Sequence, residues 1–443
     1  MRLTVAEVLS ATGGRLRAGP ADAAFGSFHT DSREVAEGGL FFALRGSAMD
    51  GHEFVAQASR RGAAGVVVDR PVDAGGAAVL VVDDTWQALY GLAGWVRTEV
   101  APLVVGVTGS NGKTSTKEMA AAVLATRRNV LKSEGNLNTE TGLPLTLLRL
   151  ARENEVAVLE MGMQGTGEIA RLASLARPLV GVVTGIGTVH AEYFADGQRG
   201  IARAKGELVE ALPDDGLAVL NREDGFFEFL SALSKAPVLG VGLGSGDLVA
   251  EDYRPGREGG SEFKVEGVDV RLPLAGRHQA RNALAALAVG RFAGVPLEEG
   301  AAALAAVQVD HRLQERRAAA GYVVVDDAYN ASPESMLAAF EALLERPRGG
   351  RLIAVLGEMR ELGSLAEQAH RKVGRRAAEV FDRVAVVDVG RGRLLAEAAG
   401  APLLADRAAA ADWVRATAGP GDRVLVKASH GVALYELVED LLR

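Results

Sequence analysis

Leu103-Val-Val-Gly-Val-Thr-Gly-Ser-Asn-Gly-Lys-Thr-Ser115 is an apolar run that breaks into glycines and then into helix-forming residues. Residues 103–108 read as a buried strand and residues 114–126 as a helix. A strand feeding a glycine turn at the start of a helix gathers backbone N–H groups and the positive helix end at one point. Gly109 and Gly112 let the backbone come close to a phosphate group, so Gly109, Ser110, Asn111, Gly112, Lys113, Thr114 and Ser115 are the expected nucleotide contacts. Lys113 is placed to reach the β- and γ-phosphates, and Thr114 to offer its hydroxyl to Mg²⁺. Gly106 stands one residue farther from Gly112-Lys113-Thr114 than in the standard phosphate loop.

Outward from this loop, buried strands alternate with helices. Residues 156–160, 179–184 and 217–220 are apolar strands spaced by helical stretches, the pattern of a parallel sheet covered on both faces. Ligands of such sheets sit beyond the carboxyl ends of the strands. Glu160 closes one strand and is a hard oxygen donor suited to Mg²⁺. His190 follows another, in Thr184-Gly-Ile-Gly-Thr-Val-His190; taken alone it reads as a packing or hydrogen-bonding residue. Lys205, taken alone, reads as a surface salt-bridge lysine. Carbamylated by CO₂ it would instead present a carboxylate to a metal, and burial would favour the neutral amine which that requires.

At 443 residues the chain exceeds what one core supports, and roughly three domains are expected. Residues 1–98 carry short strands at 39–44 and 65–69 and a helical stretch at 53–61. A charged helix end meets Pro102 and marks a first boundary. Residues 247–274 read as a small antiparallel insertion, with strands at 262–265 and 268–272. A second boundary falls near residues 309–317, and strands at 322–326, 351–356, 383–389 and 423–427 then form a second doubly wound domain. The expected fold is α/β in three domains: residues 1–98, a central phosphate-loop parallel-sheet domain at 99–312, and a Rossmann-like domain at 313–443.

Composition narrows the chemistry. The absence of cysteine excludes disulfides, thiolate metal sites and a cysteine nucleophile. A net charge of −8 argues against a non-specific nucleic-acid binder, so a positive field for anions must be built locally. The first residues carry a charge too early for a signal peptide. The apolar runs at 63–68 and 77–82 are far short of the roughly 20 residues a bilayer needs. A cytoplasmic protein without membrane insertion is expected.

Thr108-Gly-Ser-Asn-Gly-Lys-Thr114, Glu160, His190 and Lys205 resemble, in order and surroundings, the Mur ligase family of ATP-dependent amide-forming enzymes of peptidoglycan synthesis. The resemblance runs over essentially the whole chain. It implies a central ATPase domain between a nucleotide-sugar domain and a domain for the incoming amine. It implies ATP and a pair of Mg²⁺ ions, held by Thr114, Glu160, His190 and a carbamylated Lys205, with Lys113, Lys205, His190 and Glu160 as the catalytic set. It further implies Asn282 near adenine, Arg312 near phosphate or ribose, and Asp327 on a ribose hydroxyl. Thr30-Asp-Ser-Arg33 and Asp50-Gly-His-Glu-Phe54 are similar to the uridine-nucleotide domain of the family's two last-acting members, implying Ser32 and Arg33 at the UDP group. The stretch from Asn136 to Gly142 resembles the loop that approaches the muramoyl group, implying contacts from Asn138 and Thr139.

Asp326-Asp-Ala-Tyr-Asn-Ala-Ser-Pro333, and Leu356-Gly-Glu-Met-Arg-Glu-Leu-Gly363 with His370, resemble the dipeptide-adding branch. They imply UDP-N-acetylmuramoyl-tripeptide and D-alanyl-D-alanine as partners of a monomer, with Asn330, Lys427 and Ser429 in the dipeptide pocket. Gln279, His311, Ala428 and His430 stand where the family usually has asparagine, glycine, glycine and arginine. Two other readings remain at this point. Another Mur ligase or a folylpolyglutamate-type ligase shares the central ATPase, although the latter lacks the Asp-Ser-Arg and Asp-Asp-Ala-Tyr-Asn stretches. A nucleotide-driven switch would hold or hydrolyse nucleotide without an acyl acceptor. On the ligase reading, Lys113→Ala abolishes ATP-dependent turnover with an unchanged circular dichroism spectrum. Turnover retained by that variant removes the loop from the chemistry.

Overall fold

The computed structural model describes residues 1–46, 49–256, 259–347 and 349–443. Residues 257 and 258, inside the expected antiparallel insertion, lie outside the described residues. Two compact units emerge. One comprises Met1–Gly106, Arg127–Met163 and Glu168–Leu179; the other comprises Val107–Thr126, Gln164–Gly167 and Val180–Arg443.

The first seven strands are β1 (Leu3–Thr4), β2 (Arg15–Ala18), β3 (Ala24–Phe25), β4 (Phe28–His29), β5 (Leu40–Phe42), β6 (Gly65–Val68) and β7 (Ala78–Val81). β1 and β3 form a small antiparallel pair, and the rest form a sheet in the order β2-β7-β6-β5-β4. Its ladders are parallel except at the edge strand β2. β5, β6 and β7 are buried throughout, as their unbroken apolar sequence requires. The helix expected over 53–61 begins as a 3₁₀ turn, Gly51–Phe54, and continues as Val55–Arg60. Helix Thr85–Val100 is capped by the Asp84 carboxylate, which accepts from Trp86 N and Gln87 N. It ends in left-handed Ala101, directly before Pro102.

A seven-stranded sheet is built from β8 (Leu103–Thr108), β9 (Val130–Lys132), β10 (Val156–Glu160), β11 (Val180–Val183), β12 (Leu217–Asn221), β13 (Val238–Gly242) and β14 (Leu248–Val249). Their order is β14-β13-β12-β11-β8-β10-β9. The sequence reading located β8, β10, β11 and β12. It missed the three-residue edge β9, the two-residue edge β14, and β13, whose glycines dilute the apolar signal. The insertion has three antiparallel strands where two were expected: β15 (Glu251–Pro255), β16 (Ser261–Val265) and β17 (Val268–Leu272). β15 is charged and largely exposed, so it lacks apolar periodicity.

The last sheet contains β18 (Gln314–Arg317), β19 (Val323–Asp326), β20 (Leu352–Leu356), β21 (Arg383–Val387), β22 (Leu403–Leu404) and β23 (Arg423–Lys427). Its order is β18-β19-β23-β20-β21-β22. The doubly wound sheet expected here carries one strand more at each edge, β18 and β22, than the sequence reading gave it. The segment read as a boundary supplies β18, which runs antiparallel to β19. Gln-Glu-Arg-Arg is a polar edge strand and carries no burial pattern. Neighbouring residues of the inner strands face opposite ways. Val325, Ala354 and Leu425 pack with Phe340 and Val373, whereas Val324, Ile353 and Val424 pack with Val414 and Leu437. Both faces are therefore covered by helices. Among the described residues no helix is long and apolar enough to cross a membrane.

Candidate active site

β8 ends at Thr108, and helix Lys113–Leu124 starts directly after left-handed Gly112. A Cβ at Gly109 would collide with Thr184, and one at Gly112 would lie 2.7 Å from Asn282 Oδ1. Both glycines are thus required by crowding as well as by φ. The loop is strapped from the segment after β11. Thr184 Oγ1 donates to Asn111 O (2.5 Å), Ser110 N donates to Gly185 O (2.9 Å), and Gly187 N donates to Ser110 Oγ (2.8 Å). Lys113 Nζ donates to Gly109 O at 2.8 Å, curling over the loop it belongs to. Thr114 and Ser115 occupy the first helical turn.

The same segment carries His190 in left-handed backbone, φ 69°. Its Nδ1 lies 2.6 Å from Glu361 Oε2, a close polar contact whose angle falls short of a hydrogen bond's alignment. This contact, together with the charge of Lys113, holds the Glu361 carboxyl below the usual carboxylate range. Two residues earlier, Thr188 donates from both N and Oγ1 to Glu334 Oε1, each at 2.9 Å. Glu334 opens helix Pro333–Leu344, whose cap Ser332 accepts from Ser335 N and donates to Asn111 Oδ1 (3.1 Å). Lys205 lies on helix Gln198–Glu210 and is 1% exposed, not on the surface as its lone reading suggested.

Asp327 and Lys427 form a buried pair at the ends of β19 and β23, with Lys427 Nζ 2.6 Å from Asp327 Oδ2. Nζ also donates to Asn330 O (2.9 Å) and Asp327 O (3.4 Å). Burial raises the Asp327 carboxyl and lowers the Lys427 ammonium, and their attraction opposes both shifts. Ser429 Oγ accepts from Arg360 N (2.9 Å) and donates to Ala331 O (3.4 Å), so Asn330, Lys427 and Ser429 come together. Arg312 lies over the Tyr329 ring at 4.6 Å. His278 is pushed down to about 3 by burial and by the charges of Arg281, Lys427 and Arg312, so it is neutral amid three cations. Asn282 Nδ2 donates to Gln279 Oε1 (3.0 Å), so the departure at Gln279 still orients the asparagine against Gly112.

In the first unit, Glu160 is 2% exposed and accepts from Asn138 Nδ2 at 2.8 Å. Thr139 Oγ1 accepts from Gly142 N (3.4 Å) and contacts Thr141 Oγ1. Ser32 Oγ donates to Gln57 Oε1 (2.8 Å), whereas the Arg33 side chain is 79% exposed and forked on Asp31. Taken one by one, the buried Glu160 carboxylate and the Thr114 hydroxyl are hard oxygen donors of the kind Mg²⁺ takes, and the His190 imidazole is its unusual one. Sequence reasoning missed Arg281, Thr188, Glu334 and Glu361. Thr188, Arg281 and Glu361 lay inside stretches already singled out for other residues, and Glu334 directly follows one.

The chain matches three family domains: the Mur ligase family catalytic domain over residues 27–123, the Mur ligase middle domain over residues 107–290, and the Mur ligase glutamate ligase domain over residues 311–430. The UDP-N-acetylmuramoyl-tripeptide--D-alanyl-D-alanine ligase of Bacillus subtilis is 38% identical over 428 residues, spanning 93% of this chain and 92% of that protein. A crystal structure of MurF from Acinetobacter baumannii superposes with a TM-score of 0.90 at 32% identity, covering 100% of this chain and 99% of that one. The Thermotoga maritima MurF ligase, solved in complex with ADP, gives a TM-score of 0.83 at 32% identity, covering 94% and 96%.

The buried pair yields a stability prediction. Lys427→Met leaves Asp327 uncompensated and is expected to cost about 3–5 kcal/mol in urea denaturation. Adding Asp327→Leu should recover most of that loss. A double variant no more stable than the single one would show that the pair does not carry the energy.

Proposed function

We propose that this chain, which belongs to the Mur ligase family, adds D-alanyl-D-alanine to UDP-N-acetylmuramoyl-tripeptide at the expense of ATP, in the synthesis of peptidoglycan precursors. The reading is supported most directly by one contact. Ser332 Oγ, in the stretch resembling the dipeptide-adding branch, holds Asn111 of the phosphate loop. Nucleotide chemistry and amine acceptor thus share a wall.

A carboxylate resists attack by an amine until it is activated. The tripeptide's terminal carboxylate attacks the γ-phosphorus of ATP, forming an acyl phosphate and releasing ADP. The dipeptide amine then adds to the acyl carbon, and inorganic phosphate leaves as the tetrahedral intermediate collapses. Two anions must meet in the first step. Lys113 exchanges Gly109 O for phosphate oxygens, and the loop N–H groups receive the developing charge. Arg312 and Asp327 take the phosphate or ribose of ATP, and Asn282 faces adenine. Ser32 and Arg33 hold the UDP group, Asn138 and Thr139 the muramoyl end, and Asn330, Lys427 and Ser429 line the dipeptide pocket. Thr114, Glu160, His190 and a carbamylated Lys205 would hold two Mg²⁺ ions, which supply charge neutralisation and alignment of the phosphate oxygens. Residues 1–98, 99–312 and 313–443 then act as domains for UDP, ATP and dipeptide, and their closure keeps water from the acyl phosphate. The enzyme works as a cytoplasmic monomer.

Mass spectrometry of a reaction containing UDP-N-acetylmuramoyl-tripeptide, ATP and D-alanyl-D-alanine should show the extended peptide, with phosphate released only when both co-substrates are present. Phosphate release without the dipeptide adduct would favour a nucleotide switch. In ¹³C-bicarbonate the wild-type chain should give a carbamate carbon resonance that Lys205→Arg lacks. Its absence from wild type would remove the carbamate from the proposal.

A further inference from the structure

His190 and Glu361 belong to different sheets. His190 follows β11 of the central sheet, and Glu361 follows β20 of the C-terminal sheet. Both are non-glycine residues with left-handed backbone, at φ 69° and φ 62°. Such conformations are disfavoured by Cβ sterics and persist where the surroundings impose them, often at sites that need a fixed side chain. The two strained residues face each other at 2.6 Å, Nδ1 to Oε2.

Backbone contacts reinforce the pair. Glu192 N reaches Glu361 O at 3.5 Å, and a Cβ at Gly363 would lie 2.8 Å from Glu192 Cα. The two segments are thus pressed together by main chain as well as side chain. Glu334 anchors the same loop two residues upstream through Thr188. Two carboxylates from the C-terminal portion therefore grip one short segment that ends at the phosphate loop.

A carboxylate 2.6 Å from Nδ1 favours the tautomer that carries the ring proton there, with Nε2 the nitrogen left to face a cation. Carboxylates that orient a ligand histidine in this way set both its tautomer and its ring direction. We propose that Glu361 is a positioning residue that fixes the His190 ring for the divalent cation accompanying ATP, and does so only while the C-terminal sheet stands against the central one. This rests on the ligase reading above. It makes cation affinity a consequence of domain closure, since the carboxylate arrives with the dipeptide-binding half.

The full-length chain with Mn²⁺ and a non-hydrolysable ATP analogue provides the test, with free Mn²⁺ followed by electron paramagnetic resonance. Glu361→Ala should weaken Mn²⁺ binding by roughly 10- to 100-fold. Glu361→Gln, which keeps an accepting oxygen, should recover part of that loss. Gly363→Ala keeps both side chains but drives the segments apart, and should resemble Glu361→Ala. In turnover, Glu361→Ala should raise the KM for magnesium, with kcat restored at high magnesium. A purely structural role would lower the melting temperature and leave Mn²⁺ affinity alone. If wild type ligates while Glu361→Ala and Gly363→Ala bind Mn²⁺ as wild type does, the positioning role is overturned and the ligase reading stands. If wild type neither ligates nor binds Mn²⁺ with the analogue, both fall.

Discussion

A polyphosphate must be drawn into a chain whose formal net charge is −8, and most of the architecture around the nucleotide loop answers that constraint. The positive field cannot come from the molecule as a whole and has to be assembled at one place. Lys427, Arg312 and Arg281 all act on His278, and burial keeps that imidazole neutral so that it adds no further repulsion among them. Lys427 is held by Asp327, so one buried charge of the cluster is matched within the chain. Water is partly excluded there, and each remaining cation acts over a longer range than it would on the surface.

The phosphate loop is held by the chain's own contacts. Its backbone is tied by Thr184, Gly185 and Gly187 from the segment after β11, and by Ser332 from a helix start far along the chain. Preorganised donors need little rearrangement when charge develops. Lys113 is the exception, because its ammonium is occupied by the loop's own carbonyl. That side chain would have to exchange partners to reach a phosphate.

Much of this was legible in the sequence. β8, β10, β20 and β23 are unbroken apolar runs, and such runs have one comfortable place, the inside of a parallel sheet. Gly109 and Gly112 announced the loop because no other residue tolerates both their φ and their crowding. What escaped was of two kinds. β15 and β18 are polar edge strands, held by ladder hydrogen bonds that leave no imprint on composition. Glu334 and Glu361 look like ordinary surface acids, and their meaning depends on partners brought close only by folding. Thr188 and Glu334 are separated by 146 positions, and no local spacing rule spans that gap. Lys205 illustrates the same limit from the other side. A lysine in a helical stretch reads as solvent-facing, and only the packed helix reveals it as buried.

Ser332 has a single hydroxyl proton and gives it to Asn111, while its lone pairs terminate the helix that begins at Pro333. One atom therefore belongs at once to a helix end and to the nucleotide loop. Substitutions that appear only to trim that helix would also unsettle the loop, so robustness and turnover at this position are inherited together. Lineages drifting toward a sturdier or looser C-terminal half would shift nucleotide handling along with it, with no residue at the phosphate loop having changed.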